Sequence, residues 1–195
     1  MGKQRVVIAD DEIIVRMDIR EILEVNGYEV VGEAGDGIDA LELCRQQNPD
    51  LVLLDIKMPL MDGLTAAKQI HSLNPDIAIV VLTAYNDERF IDKAAEYGSV
   101  GYVVKPLNER SLIPAIKIAL KRAEDFRQLK AELEEEKRKL EDRKIMDRAK
   151  GLLMKQQGMD EQAAYAYLRT LSMKKRVSIR EISEMLLSAD EMMGK

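Results

Sequence analysis

Four short apolar runs, each ending on a charged or hydroxyl side chain, constrain the fold of this chain most tightly. They are Val6-Val7-Ile8-Ala9 before Asp10-Asp11-Glu12, Leu51-Val52-Leu53-Leu54 before Asp55, Ile79-Val80-Val81-Leu82 before Thr83, and Tyr102-Val103-Val104 before Lys105-Pro106. Runs of this length and Val/Ile/Leu content predict strands buried on both faces, as in a parallel sheet. Between them lie amphipathic segments with helix signals. One begins at Asp11-Glu12 and stops at Asn26-Gly27, with Ile14, Met17, Ile22 and Leu23 expected on its inner face. Others begin at Asp36-Gly37 and at about Gly63, closing at Asn48-Pro49 and Asn74-Pro75, and a fourth is expected over 87–97. With a short second strand over 28–34, strand and helix alternate five times. The expected class is α/β, a doubly wound five-stranded parallel sheet.

Such a sheet brings the carboxyl ends of its strands to one edge, where open α/β sheets hold ligands. Asp10, Asp11, Asp55, Thr83 and Lys105 meet there. An acid at a strand end, taken alone, can equally be a helix cap; the company of the other strand ends argues for chemistry. Three carboxylates repel one another unless a cation sits among them. Hard oxygen ligands suit Mg²⁺, which keeps several waters and takes phosphate oxygens into its shell. Lys105 supplies a point charge for a phosphoryl oxygen, and an Asp so held is suited to form an aspartyl-phosphate. Position 57 is Lys, not a second acid, and the only histidine, His71, falls in the third helix away from this edge. The chain is therefore expected to be a regulatory protein, with slow self-dephosphorylation as its only turnover.

The acidic pair after the first strand, Asp55 after the third, Thr83 after the fourth and Lys105-Pro106 after the fifth resemble the receiver domain of two-component response regulators. The resemblance implies the flavodoxin-like strand order 2-1-3-4-5. It implies Asp55 as phosphoacceptor and Mg²⁺ held by Asp10, Asp11, Asp55 and the main-chain carbonyl of Lys57. Thr83 and Lys105 would contact the phosphoryl group, the Lys105-Pro106 bond would be cis, and a sensor histidine kinase would be the partner. Tyr102 is either an aromatic filling space beside the fourth helix or a ring that turns inward when Thr83 moves.

The receiver-like part is expected over 1–122. Asn108 is a good cap for its last helix, and Pro114 predicts a bend or a late start. From Ala115 to Lys150 there is no Gly or Pro, and the residues are helix formers throughout. Ala119, Ala123, Phe126, Leu129, Leu133 and Leu140 follow the three-four spacing of a heptad seam. It thins where Glu136, Arg143 and Asp147 take seam positions. A solvated spacer and a short parallel coiled coil both fit. The seam favours a coiled-coil linker over 123–142 and a homodimer through 119–140 when the protein is phosphorylated.

Residues 143–195 are expected to form a small three-helix all-α domain. Ile145, Leu152 and Leu153 give its first helix an apolar side, and Gly158 stops it. Asp160 caps a second helix over 161–171, with Ala164, Tyr165 and Leu168 inward. Ser178-x-x-Glu181 has the capping-box form for a third over 179–192. Although the whole chain carries a net charge of −5, this segment holds 11 basic against 7 acidic side chains, a balance suited to a polyanion. Ala149-Lys150-Gly151-Leu152-Leu153-Met154, followed by Ala164-Tyr165-x-x-Leu168-Arg169 and Met173, resembles the ANTAR domain of transcription antiterminators. That resemblance implies binding to tandem RNA hairpins in leader transcripts. RNA loops are read by stacking aromatics and by Arg or Lys, so Arg148, Lys150, Tyr165, Arg169, Lys174, Lys175 and Arg176 are the candidates. Each has a plainer role open to it: Tyr165 as a core aromatic, Lys174-Lys175-Arg176 as a wet turn. Gly151 costs about 1 kcal/mol inside a helix, which points to close approach by another helix or by RNA. Two rival readings are a DNA-binding helix-turn-helix and a phosphorelay receiver with a dimerising tail. The first would present Arg180, Glu181 and Glu184 to DNA, and two acids facing a phosphate-lined groove disfavour it.

The expected compartment is cytoplasmic. No run of about 18 apolar residues is present to span a membrane, and the first residues lack a cleavage-site pattern. The single Cys44 forms no internal disulfide and fits a reducing cytosol.

Overall fold

The apolar runs are strands. A computed structural model describes residues 2–84 and 101–193; the helix expected over 87–97 lies outside the described residues. Strands β1 (Arg5–Ala9), β2 (Glu29–Ala34), β3 (Leu51–Asp55), β4 (Ala78–Thr83) and β5 (Gly101–Val104) form one parallel sheet in the order β2-β1-β3-β4-β5. Ala9 pairs with both Ala34 and Leu54, Asp55 with Leu82, and Thr83 with Val104. This register aligns the strand ends that carry the polar residues.

Side chains alternate across each strand, and here both faces are covered. Val6, Ile8, Leu51, Leu53, Val80 and Leu82 pack with helix α1 (Ile13–Val25) and the start of helix α4 (Glu109–Gln157). Val7, Ala9, Val52, Leu54, Ile79 and Val81 pack with α2 (Gly37–Gln47) and α3 (Gly63–Leu73). Each large aliphatic side chain so buried contributes about 1.5–3 kcal/mol. Asp36 caps α2 and Asp62 caps α3 through their side chains, as their positions predict.

Two expectations about helix faces in this part of the chain are corrected. On α1 the buried residues are Ile19 and Leu23, with Val15 and Ile22 packed against the core. Ile14 and Met17 are 74% and 63% exposed. At 3.6 residues per turn, positions 15, 19, 22 and 23 form one stripe, and 14 and 17 fall on the opposite side.

The second correction concerns α4. The receiver's last helix, the linker and the first helix of the tail are one helix, with Pro114 inside it and Asn108 Oδ1 accepting from the Ser111 N–H at 3.0 Å. Ala119 and Ala123 do not belong to a free seam. They are buried in the core with Leu112, Ile113 and Ile116. A three-four spacing marks an apolar stripe without saying what covers it, and here the sheet covers its first half. Phe126, Leu129, Leu133 and Leu140 continue the stripe and are each more than half exposed.

The chain divides into two compact units, Met1–Gln128 and Leu129–Lys195. In the second, α4 packs with α5 (Glu161–Lys175) and α6 (Ile179–Met193) around Ala149, Leu153, Ala164, Leu168 and Ile182. The stop and start signals act as predicted. Gly158 has φ +64°, Asp160 accepts from the Ala163 N–H at 2.7 Å, and the Ser178 and Glu181 side chains exchange hydrogen bonds with each other's backbone N–H. Helix α5 runs four residues past the expected end, to Lys175. Tyr165, expected inward, is 42% exposed, because Ala164 and Leu168 already fill the inner stripe.

Candidate functional site

Four strand ends build the site. Asp10 follows β1 and is fully buried. Its N–H donates to the Ala34 carbonyl at 3.1 Å, Oδ1 accepts from the Glu12 N–H at 3.0 Å, and its carbonyl accepts from Arg16 Nη1 at 2.6 Å. Asp55 ends β3 and is 6% exposed, with Oδ2 accepting from the Lys57 N–H at 3.0 Å. Behind it, Gly63 opens α3. A Cβ there would lie 1.9 Å from the Asp55 carbonyl oxygen, so the chain passes only because that residue is glycine.

Lys105 closes the arrangement. Its N–H donates to the Thr83 carbonyl at 2.8 Å, and its bond to Pro106 is cis, as the resemblance implied. Its Nζ lies 2.7 Å from Asp10 Oδ2 and 2.9 Å from Asp55 Oδ1. Lys105, Asp55 and the buried Thr83 line an open cavity of about 250 Å³ with Asp11, Glu12 and Lys57. Sequence reasoning therefore brought together residues that do meet: Asp10, Asp55 and Lys105 touch, and Asp11, Lys57 and Thr83 face the same cavity. Tyr102 does not line it; its ring is 46% exposed.

The electrostatics are those of a site short of positive charge. Burial raises the Asp55 carboxyl above its ordinary value, and the hydrogen bond and charge of Lys105 offset this only in part. Burial alone would lower the Lys105 ammonium, but hydrogen bonds to Asp10 and Asp55 outweigh it and leave that group raised. Asp10 Oδ2 is buried with only the Lys105 ammonium, which it shares with Asp55, to answer it among the described residues. Carboxylate oxygens of Asp10, Asp11 and Glu12 all lie within 4.8 Å of one another. An under-satisfied buried carboxylate oxygen inside an all-oxygen acidic cluster fits a hard divalent cation. Glu12 was not among the expected ligands; its only signal was that it continues the acidic run. Asp55 stands outside this cluster because Lys105 lies between it and Asp10.

In the tail the candidates separate. Lys150 is 12% exposed at its side chain and ion-pairs with Asp147 at 2.8 Å and Glu161 at 2.7 Å, tying α4 to α5. Gly151 faces open space, with nothing within 4 Å of where a Cβ would stand. Of the two reasons offered for it, close approach by another helix does not occur among the described residues. Tyr165, Arg169 and Met173 recur at positions that share one outward stripe of α5, and all three are exposed, as are Arg148, Lys174, Lys175 and Arg176. Arg176 caps α5 in the left-handed region, φ 57°, a conformation that costs a non-glycine residue about 1 kcal/mol. Arg180 pairs with Asp142 at 2.7 Å and Glu184 at 2.9 Å.

Comparison with known proteins places both units. Residues 6–117 match the response regulator receiver domain family and residues 127–187 the ANTAR domain family. The transcriptional regulatory protein PdtaR of Mycobacterium tuberculosis is 43% identical over 185 residues, covering 94% of this chain and 89% of that protein. A CheY-like receiver domain from Methanospirillum hungatei superposes with a TM-score of 0.60 at 30% identity, covering 64% of this chain and 98% of that one. CheY of Borrelia burgdorferi, solved in a complex with CheX, BeF₃ and Mg²⁺, gives a TM-score of 0.57 at 26% identity, covering 59% of this chain and 87% of that one.

Proposed function

Since the chain belongs to the response regulators that join a receiver domain to an ANTAR domain, we propose that it is a phosphorylation-controlled antiterminator. In this reading a sensor histidine kinase passes a phosphoryl group to Asp55, and the tail then holds hairpins of a nascent leader transcript. The observation that carries it is the buried Asp55 carboxylate, at a strand end, held 2.9 Å from Lys105 in an open acidic cavity.

Asp10, Asp11, Asp55 and the Lys57 carbonyl would hold Mg²⁺, with Glu12 at the rim. The ion supplies the charge neutralisation that phosphoryl transfer needs. One oxygen of Asp55 attacks phosphorus, the O–P bond forms, and the N–P bond to the donor imidazole breaks with its electron pair leaving on nitrogen. Lys105 turns from Asp10 and Asp55 to the new phosphoryl oxygens, Thr83 follows, and Tyr102 swings in from its exposed position. Ile13, Ile14 and Met17 form an exposed apolar patch directly after Glu12. The patch follows directly on the residues that line the Asp55 cavity, which supports it as the kinase's footing.

Dimerisation runs through Phe126, Leu129, Leu133 and Leu140. Two tails on one dimer meet two hairpins with an effective concentration that one tail lacks. The RNA face is the outward stripe of α5, Tyr165 with Arg169, flanked by Arg148, Lys174, Lys175 and the cap Arg176. The strained Arg176 supports this, since such a conformation persists where a side chain is needed. Lys150 and Gly151 shape the surface beside it. Against the DNA reading stands Arg180, whose charge is spent on Asp142 and Glu184. Among the described residues, no helix is long and apolar enough to cross a membrane, and a cytoplasmic setting suits an RNA target.

The test has two arms at one fixed salt concentration. Mass spectrometry after treatment with acetyl phosphate and Mg²⁺ should place a single phosphoryl group on Asp55. Gel shifts should show tandem-hairpin RNA, but not duplex DNA, retained more tightly after beryllofluoride activation. Labelling elsewhere sinks the receiver half, and preference for DNA sinks the tail half.

A further inference from the structure

We infer that Arg16 is the positioning residue for the metal-binding acids, and that Glu33 on β2 aims it. Arg16 lies on the flank of α1 that faces β2, with a side chain 15% exposed. Its Nη1 donates to the Asp10 carbonyl at 2.6 Å and its Nε to Glu33 Oε2 at 3.3 Å. Glu33 also takes Arg20 Nε at 2.6 Å, so it is held from two sides. The next residue along β2, Ala34, accepts the Asp10 N–H at 3.1 Å. Asp10 is therefore gripped at both ends of its backbone by β2: directly at its N–H, and through Arg16 at its C=O.

This grip leaves the Asp10 carboxylate to the cavity. Oδ1 is fixed by the Glu12 N–H, so the turn that projects Asp11 and Glu12 is set by the same residue. A guanidinium bonded to the carbonyl, not to the carboxylates, orients the ligands without occupying them. Groups that orient metal ligands from behind typically change affinity about 10- to 100-fold when removed. The Arg16 charge is largely balanced by Glu33, so its influence is geometric. That separates it from a simple repulsion: removing a positive charge near a cation site would tighten binding, whereas releasing the turn weakens it.

The inference rests on the magnesium site of the proposed function. The experiment measures Mg²⁺ binding to the full chain by calorimetry, and the Mg²⁺ dependence of acetyl-phosphate labelling. It compares wild type, Arg16→Met and Glu33→Gln, with circular dichroism confirming that each is folded. Arg16→Met should raise the Mg²⁺ Kd about tenfold and Glu33→Gln about threefold, in the same direction although they change charge oppositely. The labelling rate at saturating Mg²⁺ should be unchanged. Tighter or equal Mg²⁺ binding by Arg16→Met, or opposite shifts in the two variants, overturns the inference while leaving the magnesium site intact. A wild type that binds no Mg²⁺ overturns both.

Discussion

Lys105 Nζ stands 2.9 Å from Asp55 Oδ1, so the residue proposed to receive a phosphoryl group already shares a cation with Asp10. Lys105→Met leaves two buried carboxylates without it. Breaking a buried pair from one side costs about 3–5 kcal/mol; with the ammonium at 17% exposure, about 2 kcal/mol is expected at pH 7. Mg²⁺ should restore more stability to this variant than to wild type. Urea unfolding with and without Mg²⁺ checks both. Because the folded Lys105 holds its proton more tightly than the unfolded chain, its contribution is complete below 10.5 and is lost as pH rises through the raised value. Alkaline unfolding of the variant should lack that step.

Asp55→Asn should abolish phosphorylation yet stabilise the fold at pH 7 by about 1 kcal/mol, as removal of functional strain commonly does. Burial raises the folded Asp55 carboxyl, so its contribution favours folding below the ordinary value of 3.8 and is lost as pH rises through the raised one. The gain of the variant should therefore shrink as pH falls towards 4. Equal stability of the two proteins at pH 7 counts against the strained carboxylate.

Gly63→Ala tests the backbone behind Asp55. With a Cβ 1.9 Å from the Asp55 carbonyl, something in the backbone must shift. The expected loss is about 2–3 kcal/mol by the usual cost of overpacking, with labelling of Asp55 reduced further. Urea midpoints and phosphorylation rates read the two effects separately.

Substitutions along α4 should split at its midpoint. Leu133→Glu, at a 54% exposed position, should abolish dimerisation on beryllofluoride activation and leave stability within about 0.5 kcal/mol. Ala123→Leu should instead destabilise the receiver by about 1–3 kcal/mol through overpacking. Sedimentation and urea unfolding distinguish them.

Arg176→Gly should stabilise the tail by about 1 kcal/mol, because glycine adopts the left-handed cap without strain. The same change should weaken RNA retention and lower the salt dependence by about one counterion. A gain in stability with unchanged RNA binding removes Arg176 from the interface.

The receiver fold was legible because both faces of its sheet are covered, which turns each buried strand into an unbroken apolar run. The site was legible because polar residues at the ends of those runs have one shared edge to occupy. Helix faces were harder. Ile14 and Met17 look like core residues by type, and only the phase set by Ile19 and Leu23 excludes them. Ala119 and Ala123 fit two partners equally well as a pattern, and the sheet took them. Lys150 was indistinguishable from its exposed neighbours, since the acids that claim it lie three residues before it and across a turn at Glu161.

Helix α1 divides its labour by face. Val15, Ile19, Ile22 and Leu23 anchor it, whereas Ile13, Ile14 and Met17 stand exposed among the described residues. On the footing proposed above, mutations of this outer face would change which kinase is heeded at little folding cost. Descendants of one duplicated regulator could acquire separate addresses this way, while the acids a few ångströms off keep the same chemistry.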